Sequence, residues 1–166
     1  MKLLFVCLGN ICRSSAAEEI LRQKLIQAGL NELVTVDSAG LISYHEGELP
    51  DQRMRKHAQR RGYYLTHRSR PIRTSDFTTF DLILPMDQAN MQRLHDKAKG
   101  LNATGKLKPT TDFCQHIAAR EVPDPYYGGA EGFESVLDIL EDACDGIVAY
   151  ILDTRQLQNN HPTDIL

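Results

Sequence analysis

Short apolar runs alternate along the chain with longer segments in which hydrophobic residues recur every three or four positions. The runs at 3–6, 33–37, 81–84 and, more weakly, 107–111 predict β-strands. The first run, Leu3-Leu4-Phe5-Val6, has no polar alternation. This is typical of a central strand that is covered on both faces.

Helical periodicity fills the intervals between and after these runs. The predicted helices span 14–28, 51–61, 87–98 and 133–152. Asp51 and Asp87 are suitable N-caps for the second and third helices, and Gly29 is a suitable stop for the first. Strands that alternate with helices predict an α/β fold, here a four-stranded parallel sheet with helices on both faces in a Rossmann-like three-layer single domain.

The composition agrees with one domain. The chain has 166 residues, of which 42% are apolar and 25% charged, and this is the balance of an ordinary globular domain of that size. We assign residues 1–157 to this domain. Residues 158–166 are predicted to form a polar C-terminal tail.

Charge and cysteine content narrow the functional classes. The net charge of −3 is unlike that of nucleic-acid binders, and no apolar stretch approaches the ~18 residues of a membrane span, so we expect neither partner. The apolar start is too short for a signal peptide, which predicts a cytoplasmic protein with its cysteines as thiols. The six histidines show no metal-ligand spacing, so no metal or cofactor is expected.

The segment that follows the first strand has the residues of an anion-binding loop. It reads Cys7-Leu8-Gly9-Asn10-Ile11-Cys12-Arg13-Ser14, and a predicted helix follows at once. Backbone N–H groups of such a loop and the helix N-terminus surround an anion and favour the thiolate of Cys7. Arg13 can hold two phosphate oxygens in a fork, while Gly9 and Asn10 tolerate unusual backbone angles. Cys-x5-Arg-Ser is the pattern of cysteine phosphatases, in which the thiolate attacks phosphorus.

A second segment offers a general acid. Asp124 lies between Pro123 and Pro125 on a stiff loop, and Tyr126 and Tyr127 follow. Phosphoryl transfer to sulfur expels an alkoxide or phenolate, and a group that protonates it is typically worth ~10²–10⁴ in rate. We therefore expect Asp124 to protonate the leaving group and the two tyrosines to flank an aromatic substrate.

With both segments in place, the chain resembles the low-molecular-weight protein tyrosine phosphatases over nearly its full length. The resemblance is carried by residues 6–14, Asp37-Ser38-Ala39-Gly40, His67-Arg68-Ser69-Arg70, Met86-Asp87 and Asp124-Pro125-Tyr126-Tyr127-Gly128. It implies hydrolysis of phosphotyrosine in proteins, and of aryl phosphates, through a phosphocysteine intermediate. It also implies that inorganic phosphate or another oxyanion occupies the loop.

The resemblance gives individual residues their expected roles. Cys7 looks like the nucleophile, Arg13 like the phosphate clamp, and Asp124 like the acid of the first step and the base of the second. Ser14 resembles the hydroxyl that eases the departure of the Cys7 thiolate. Asn10 resembles the residue that holds the loop, and Ser38 and His67 resemble its supports. The remaining substrate-binding positions are Leu8, Gly9, Ile11, Cys12, Tyr44, Tyr126 and Tyr127.

Ser15 and Cys12 lie where the loop meets the first predicted helix. Ser15 stands where the family commonly has proline, and its presence is expected to loosen the first helical turn without removing chemistry. Cys12 either fills the loop or traps an oxidised Cys7 as a reversible disulfide.

Three alternative functions share this loop. An arsenate reductase has the same fold but needs a relay of further cysteines, whereas Cys114 and Cys144 are isolated in this sequence. A phosphoarginine phosphatase is similar but tends to carry threonine at the position of Ile11. The third alternative is a non-catalytic anion-binding module.

Overall fold

The first strand, β1 (Lys2–Cys7), is the centre of a parallel sheet. In the computed structural model, which describes residues 1–160, β2 (Thr35–Gly40) and β3 (Leu82–Pro85) flank it in the order β2-β1-β3. Residues 3–6 of β1 are completely buried, as expected for a doubly covered strand. The sheet therefore brings the carboxyl ends of all three strands to one edge.

The prediction of a fourth strand at 107–111 is wrong, because the described residues form a sheet of three strands. Leu107 makes only an isolated parallel bridge with Ile83, and the Lys108 N–H donates to the Ile83 carbonyl over 3.1 Å. Pro109 follows, and proline has no N–H with which to continue a ladder. The chain then turns into a 3-10 helix at Thr110–Phe113.

Five α-helices lie among the described residues. They are α1 (Arg13–Gln27), α2 (Gln52–Arg60), α3 (Asp76–Thr79), α4 (Gln88–Ala98) and α5 (Ala130–Asn160). The predicted caps are confirmed, since Asp51 accepts from the N–H groups of Arg53 and Met54, and Asp87 accepts from that of Asn90. The short helix α3 was not predicted.

The helices cover both faces of the sheet, as expected. Leu3 and Phe5 of β1 point into a core built with α1, α2 and α5. Leu4 and Val6 point to the opposite face, which packs against α3 and α4. Alternate residues of one strand thus enter two separate apolar layers. This fixes the position of β1 and therefore the point at which the loop after Cys7 begins.

The last helix is longer than its pattern indicated. Helix α5 has 31 residues, and its final three, 158–160, belong to the predicted polar tail. The rest of that tail, 161–166, lies outside the described residues. Within residues 1–160, no helix combines the length and the apolar character that crossing a membrane requires.

Candidate active site

The loop between β1 and α1 closes around the carboxyl end of the central strand. Cys7 is the last residue of β1, and Arg13 is the first residue of α1. Asn10 has the left-handed φ of 58° expected for this turn. Gly9 has no positive φ, and a Cβ there would lie 3.1 Å from Cδ2 of His45, so the His45 ring would have to shift slightly.

Gly40, at the end of β2, also allows the loop to pack closely. A Cβ at this position would lie 3.1 Å from the carbonyl oxygen of Leu8 and 3.1 Å from the carbonyl carbon of Gly9. Both are backbone atoms of the loop and cannot move independently of it. The glycine of the Asp37-Ser38-Ala39-Gly40 segment therefore lets the second strand lie directly beside the loop of residues 8–12.

The Asn10 side chain holds the loop from inside the protein. It is fully buried, and its Nδ2 donates to Ser14 Oγ (2.8 Å) and Ser38 Oγ (2.9 Å). Its Oδ1 lies 3.0 Å from His67 Nε2 and accepts from the Arg70 N–H over 3.0 Å. All four hydrogen-bonding positions of the amide are used, and three of the partners come from outside the loop or its first helical turn.

A charged cluster behind Asn10 extends this support. His67 Nδ1 lies 3.1 Å from Glu18 Oε2, and the Ser38 hydroxyl donates to the same carboxylate over 2.6 Å. Asp37 lies beside His67 and binds the guanidinium of Arg70 over 2.9 Å. Glu18, Asp37 and Arg70 were not predicted as support residues.

The same cluster is the one place among residues 1–160 where three side chains could hold a metal ion. Ligand atoms of Glu18, Asp37 and His67 lie within 4.8 Å of one another. Glu18 and Asp37 already accept from Ser38 and Arg70, and His67 contacts Asn10. These contacts favour support of the loop as the role of the cluster.

The Cys7 thiol faces donors that suit an anionic sulfur. Cys7 is 3% exposed, and its Sγ lies 3.0 Å from Ser14 Oγ. The Asn10 N–H also points at Sγ, over 3.3 Å. A buried sulfur with two hydrogen-bond donors directed at it is suited to be a nucleophile and, later, a leaving group.

Arg13 is held by two acidic side chains and a carbonyl. Its Nη1 donates to Asp87 Oδ2 (2.5 Å) and to the Val122 carbonyl (3.1 Å), and its Nη2 lies 3.2 Å from Asp124 Oδ2. Burial acts to lower the pKa of Arg13, but Cys7, Asp87 and Asp124 outweigh it and hold the pKa above its ordinary value. The guanidinium of Arg13 is therefore held in one orientation and stays charged.

Asp87 was predicted only as a helix cap, yet it is also a direct partner of Arg13. Its Oδ1 accepts from the Asn90 N–H over 2.7 Å, while its Oδ2 binds Arg13. One signal was available in the sequence, because Asp87 follows the carboxyl end of a parallel strand, where ligand sites form.

Asp124 reaches the same cleft from a loop far away in sequence. Its side chain is 39% exposed, and its Oδ1 accepts from the Tyr126 N–H over 3.1 Å. Just before it, the Val122 N–H donates to the Met86 carbonyl over 2.7 Å. The loop is thus tied to the end of β3 and brings a carboxylate to the guanidinium of Arg13.

The cleft above the thiol has apolar and aromatic walls. It has a volume of about 380 Å³ and is lined by seven of the residues predicted to bind substrate, together with Ile42 and His45, which were not predicted. The predicted residues that form its walls are Leu8, Ile11, Tyr44, Tyr126 and Tyr127. Tyr127 is 93% exposed and lies at the rim, so part of this wall is open to whatever surrounds the substrate.

Ser15 and Cys12 are both buried at the start of α1. The Ser15 hydroxyl donates to the Cys12 carbonyl over 3.3 Å, a bond that proline cannot make. Burial raises the pKa of the Cys12 thiol, and Asp51 and Cys7 raise it further. The Cys12 thiol is therefore held in its neutral form beside Cys7.

Comparison with known proteins identifies the family. The family model described as low molecular weight phosphotyrosine protein phosphatase matches residues 2–161. The chain belongs to this family. The loop around Cys7 and the distant Asp124 are accordingly parts of a phosphotyrosine protein phosphatase.

Individual members of the family agree with this assignment. A Synechocystis protein named as a low-molecular-weight protein-tyrosine-phosphatase is 49% identical over 148 residues, which are 89% of this chain and 94% of that one. The crystal structure of a protein tyrosine phosphatase from Entamoeba histolytica superposes with a TM-score of 0.90 at 48% identity, covering 93% of this chain and 99% of the other. The structure of a Drosophila arginine phosphatase superposes with a TM-score of 0.85 at 32% identity, covering 91% and 98%.

Proposed function

We propose that this protein-tyrosine phosphatase transfers the phosphoryl group of phosphotyrosine to Cys7 and then to water, with Arg13 as clamp and Asp124 as acid and base. The observation that supports this most strongly is that Cys7, Arg13 and Asp124 line one cleft although Asp124 lies 117 positions after Cys7 in the sequence. Its substrates are phosphotyrosine-containing proteins and smaller aryl phosphates. Its second product is inorganic phosphate.

In the first step, the Cys7 thiolate attacks phosphorus while the bond from phosphorus to the phenolic oxygen breaks. Asp124 gives its proton to that oxygen, so the leaving group departs as a neutral phenol. Arg13 donates to two of the phosphate oxygens, and Asp87 and the Val122 carbonyl keep its guanidinium in one orientation.

In the second step, water attacks the phosphorus of the phosphocysteine and the bond from phosphorus to sulfur breaks. The Asp124 carboxylate takes a proton from the water, which returns the acid to its starting form. The departing sulfur receives a hydrogen bond from Ser14, whose hydroxyl lies 3.0 Å from Cys7 Sγ. Inorganic phosphate is then released.

The walls of the cleft support an aryl substrate. Ile11 and the tyrosines 44, 126 and 127 offer apolar surface to a phenyl ring, which a phosphoserine side chain lacks. The branched side chain of Ile11 also leaves less space for the extra nitrogens of phosphoarginine. The Drosophila arginine phosphatase has the same fold, so the wall residues and not the fold distinguish the two substrates.

The remaining cysteines give no support to an arsenate reductase. The cleft contains Cys7 and Cys12, whereas Cys114 and Cys144 are not among its lining residues. The Cys114 thiol points at the Ile139 carbonyl, and the Cys144 thiol points at the Ala17 carbonyl in the core. A cysteine relay leading away from Cys7 would need one of these thiols at the cleft.

A substrate comparison tests this function. Without added metal, the purified protein is expected to hydrolyse p-nitrophenyl phosphate, and vanadate is expected to compete with it. The value of kcat/KM should be at least about tenfold higher for a phosphotyrosine peptide than for its phosphoserine or phosphoarginine counterparts, since the wall contacts are lost with those. Preference for phosphoarginine, or arsenate reduction at a comparable rate, would contradict the proposal.

Cys12 supplies a second prediction. We expect peroxide to inactivate the enzyme by converting Cys7 to a sulfenic acid, which the neighbouring Cys12 thiol then captures as a disulfide with loss of water. After peroxide treatment, dithiothreitol should restore the activity of the wild-type enzyme. The Cys12→Ser variant should recover little, because the sulfenic acid at Cys7 oxidises further when no disulfide can form. Cys114→Ser is the matched control, and recovery of Cys12→Ser equal to that of wild type would show that Cys12 only fills the loop.

A further inference from the structure

Arg53, an exposed residue in the first turn of α2, contacts the loop that carries Asp124. Its Nη2 donates to the Tyr126 carbonyl over 2.9 Å. Its guanidinium carbon lies 5.3 Å from the centre of the Tyr126 ring and 4.9 Å from that of Phe133, in the first turn of α5. A cation over two aromatic rings is attracted to both of them, so Arg53 joins three segments of the protein.

Asp51 fixes the guanidinium of Arg53 in place. Nε and Nη2 of Arg53 donate to Oδ1 and Oδ2 of Asp51 over 3.1 and 2.9 Å. Burial acts to raise the pKa of Asp51, but its bonds with Arg53 and Met54 outweigh this and keep the pKa below its ordinary value. A paired, two-point contact of this kind limits the rotation of the arginine side chain.

Asp51 is in turn attached to the phosphate loop. Its backbone N–H donates to the Ile11 carbonyl over 2.8 Å. At the other end, the Tyr126 N–H donates to Asp124 Oδ1 over 3.1 Å. A continuous series of contacts therefore runs from the nucleophile's loop through Asp51, Arg53 and Tyr126 to the general acid.

We propose that Arg53 is a positioning residue. It holds the loop that carries Asp124 in a fixed position relative to the loop of residues 7–13 while the leaving group is protonated. This rests on the proposed acid role of Asp124. The contact of Val122 with Met86 holds the loop on the side that precedes Asp124, and Arg53 holds the side that follows it. Without Arg53, the side that follows Asp124 loses this attachment, while Val122 keeps its bonds with Met86 and Arg13, and the carboxyl group is less well aligned with the phenolic oxygen.

The dependence of rate on the leaving group distinguishes positioning from a merely structural role. A good leaving group such as 2,4-dinitrophenolate departs without a proton, whereas phenolate needs one. We expect Arg53→Ala to lower kcat/KM for phenyl phosphate about 10- to 100-fold, the cost of a misplacement of about 1 Å. For 2,4-dinitrophenyl phosphate the loss should be less than about threefold, because protonation contributes little there.

Two further variants refine the test. Asp51→Asn keeps an oxygen that can cap α2 but loses the charged pair, and it should show the same selective loss to a smaller extent. Arg53→Lys keeps the charge and should recover part of the phenyl phosphate activity. Lys56→Ala, an exposed change on the same helix, is the matched control, and the inhibition constant of inorganic phosphate should stay at the wild-type value in all of these variants.

Asp124→Ala, measured in parallel, separates the two proposals. It should lose ~10²–10⁴ in kcat/KM for phenyl phosphate. If it does and Arg53→Ala loses activity equally on both substrates, or on neither, the positioning role is wrong while the acid role stands. If Asp124→Ala loses the same factor in kcat/KM for phenyl phosphate and for 2,4-dinitrophenyl phosphate, the acid role fails.

Discussion

Replacing Cys7 with serine is expected to lower kcat for p-nitrophenyl phosphate by at least ~10⁴-fold, to the background of the assay. The hydroxyl that replaces the thiolate is protonated at neutral pH and is both a poor nucleophile and a poor leaving group. The neighbouring Ser14 hydroxyl and Asn10 N–H are placed to stabilise an anion and cannot act as a base for a new hydroxyl. Both chemical steps are therefore lost together.

Binding and trapping experiments make this prediction specific. Cys7→Ser should still bind inorganic phosphate in calorimetry, because Arg13 and the loop N–H groups remain. Rapid quenching of the wild-type enzyme should capture one phosphoryl group per chain, and none in the variant. Cys114→Ser, a change of the same kind outside the cleft, should leave kcat unchanged, and a Cys7→Ser protein with measurable turnover would remove Cys7 from the mechanism.

Arg13→Lys is expected to lower kcat/KM about 10²- to 10³-fold, the cost of losing a preorganised donor to the transition state. Lysine keeps the charge beside Asp87, which limits any loss of stability, but it has a single nitrogen. One nitrogen cannot hold two phosphate oxygens while it also binds Asp87 and the Val122 carbonyl, as the guanidinium of Arg13 is placed to do. The orientation of the phosphoryl group is lost although the charge remains.

A change of arginine to lysine elsewhere on α1 supplies the comparison. Arg22 pairs with Glu19 and is half-exposed, so Arg22→Lys should leave both kcat/KM and the melting temperature close to those of wild type. For Arg13→Lys, the loss should appear in vanadate affinity as well as in rate. Wild-type affinity for vanadate in Arg13→Lys would show that another group holds the oxyanion.

The sequence was sufficient for the part of the site that is contiguous. Cys7 and Arg13 lie within one short loop, so their spacing alone predicts that they face the same space, and both line one cleft in the structure. Asp124 could be predicted because the chemistry requires an acid and the prolines around it indicate a fixed loop. In both cases a local pattern had a direct chemical meaning.

Contacts between distant segments were harder to predict from the sequence. Asp87 serves as a cap and as a partner of Arg13; local spacing indicated the cap, whereas the second role could be inferred only from its place after a parallel strand. Nothing in the sequence around Arg53 indicated that it would reach Tyr126. The prediction of a fourth strand was wrong for a different reason. The apolar pattern near Leu107 suits a strand, but Pro109 lacks the N–H that a ladder needs.

The saturated amide of Asn10 has a consequence for the thermodynamics of binding. A loop that had to become ordered around its ligand would lose about 1–2 kcal/mol of conformational entropy for each residue fixed at that moment. Asn10 is already bonded to Ser14, Ser38, His67 and Arg70, so that entropy is lost when the protein folds. The loop is then ordered before a phosphoryl group binds. The free energy of its contacts with the loop is then not reduced by the cost of ordering the loop.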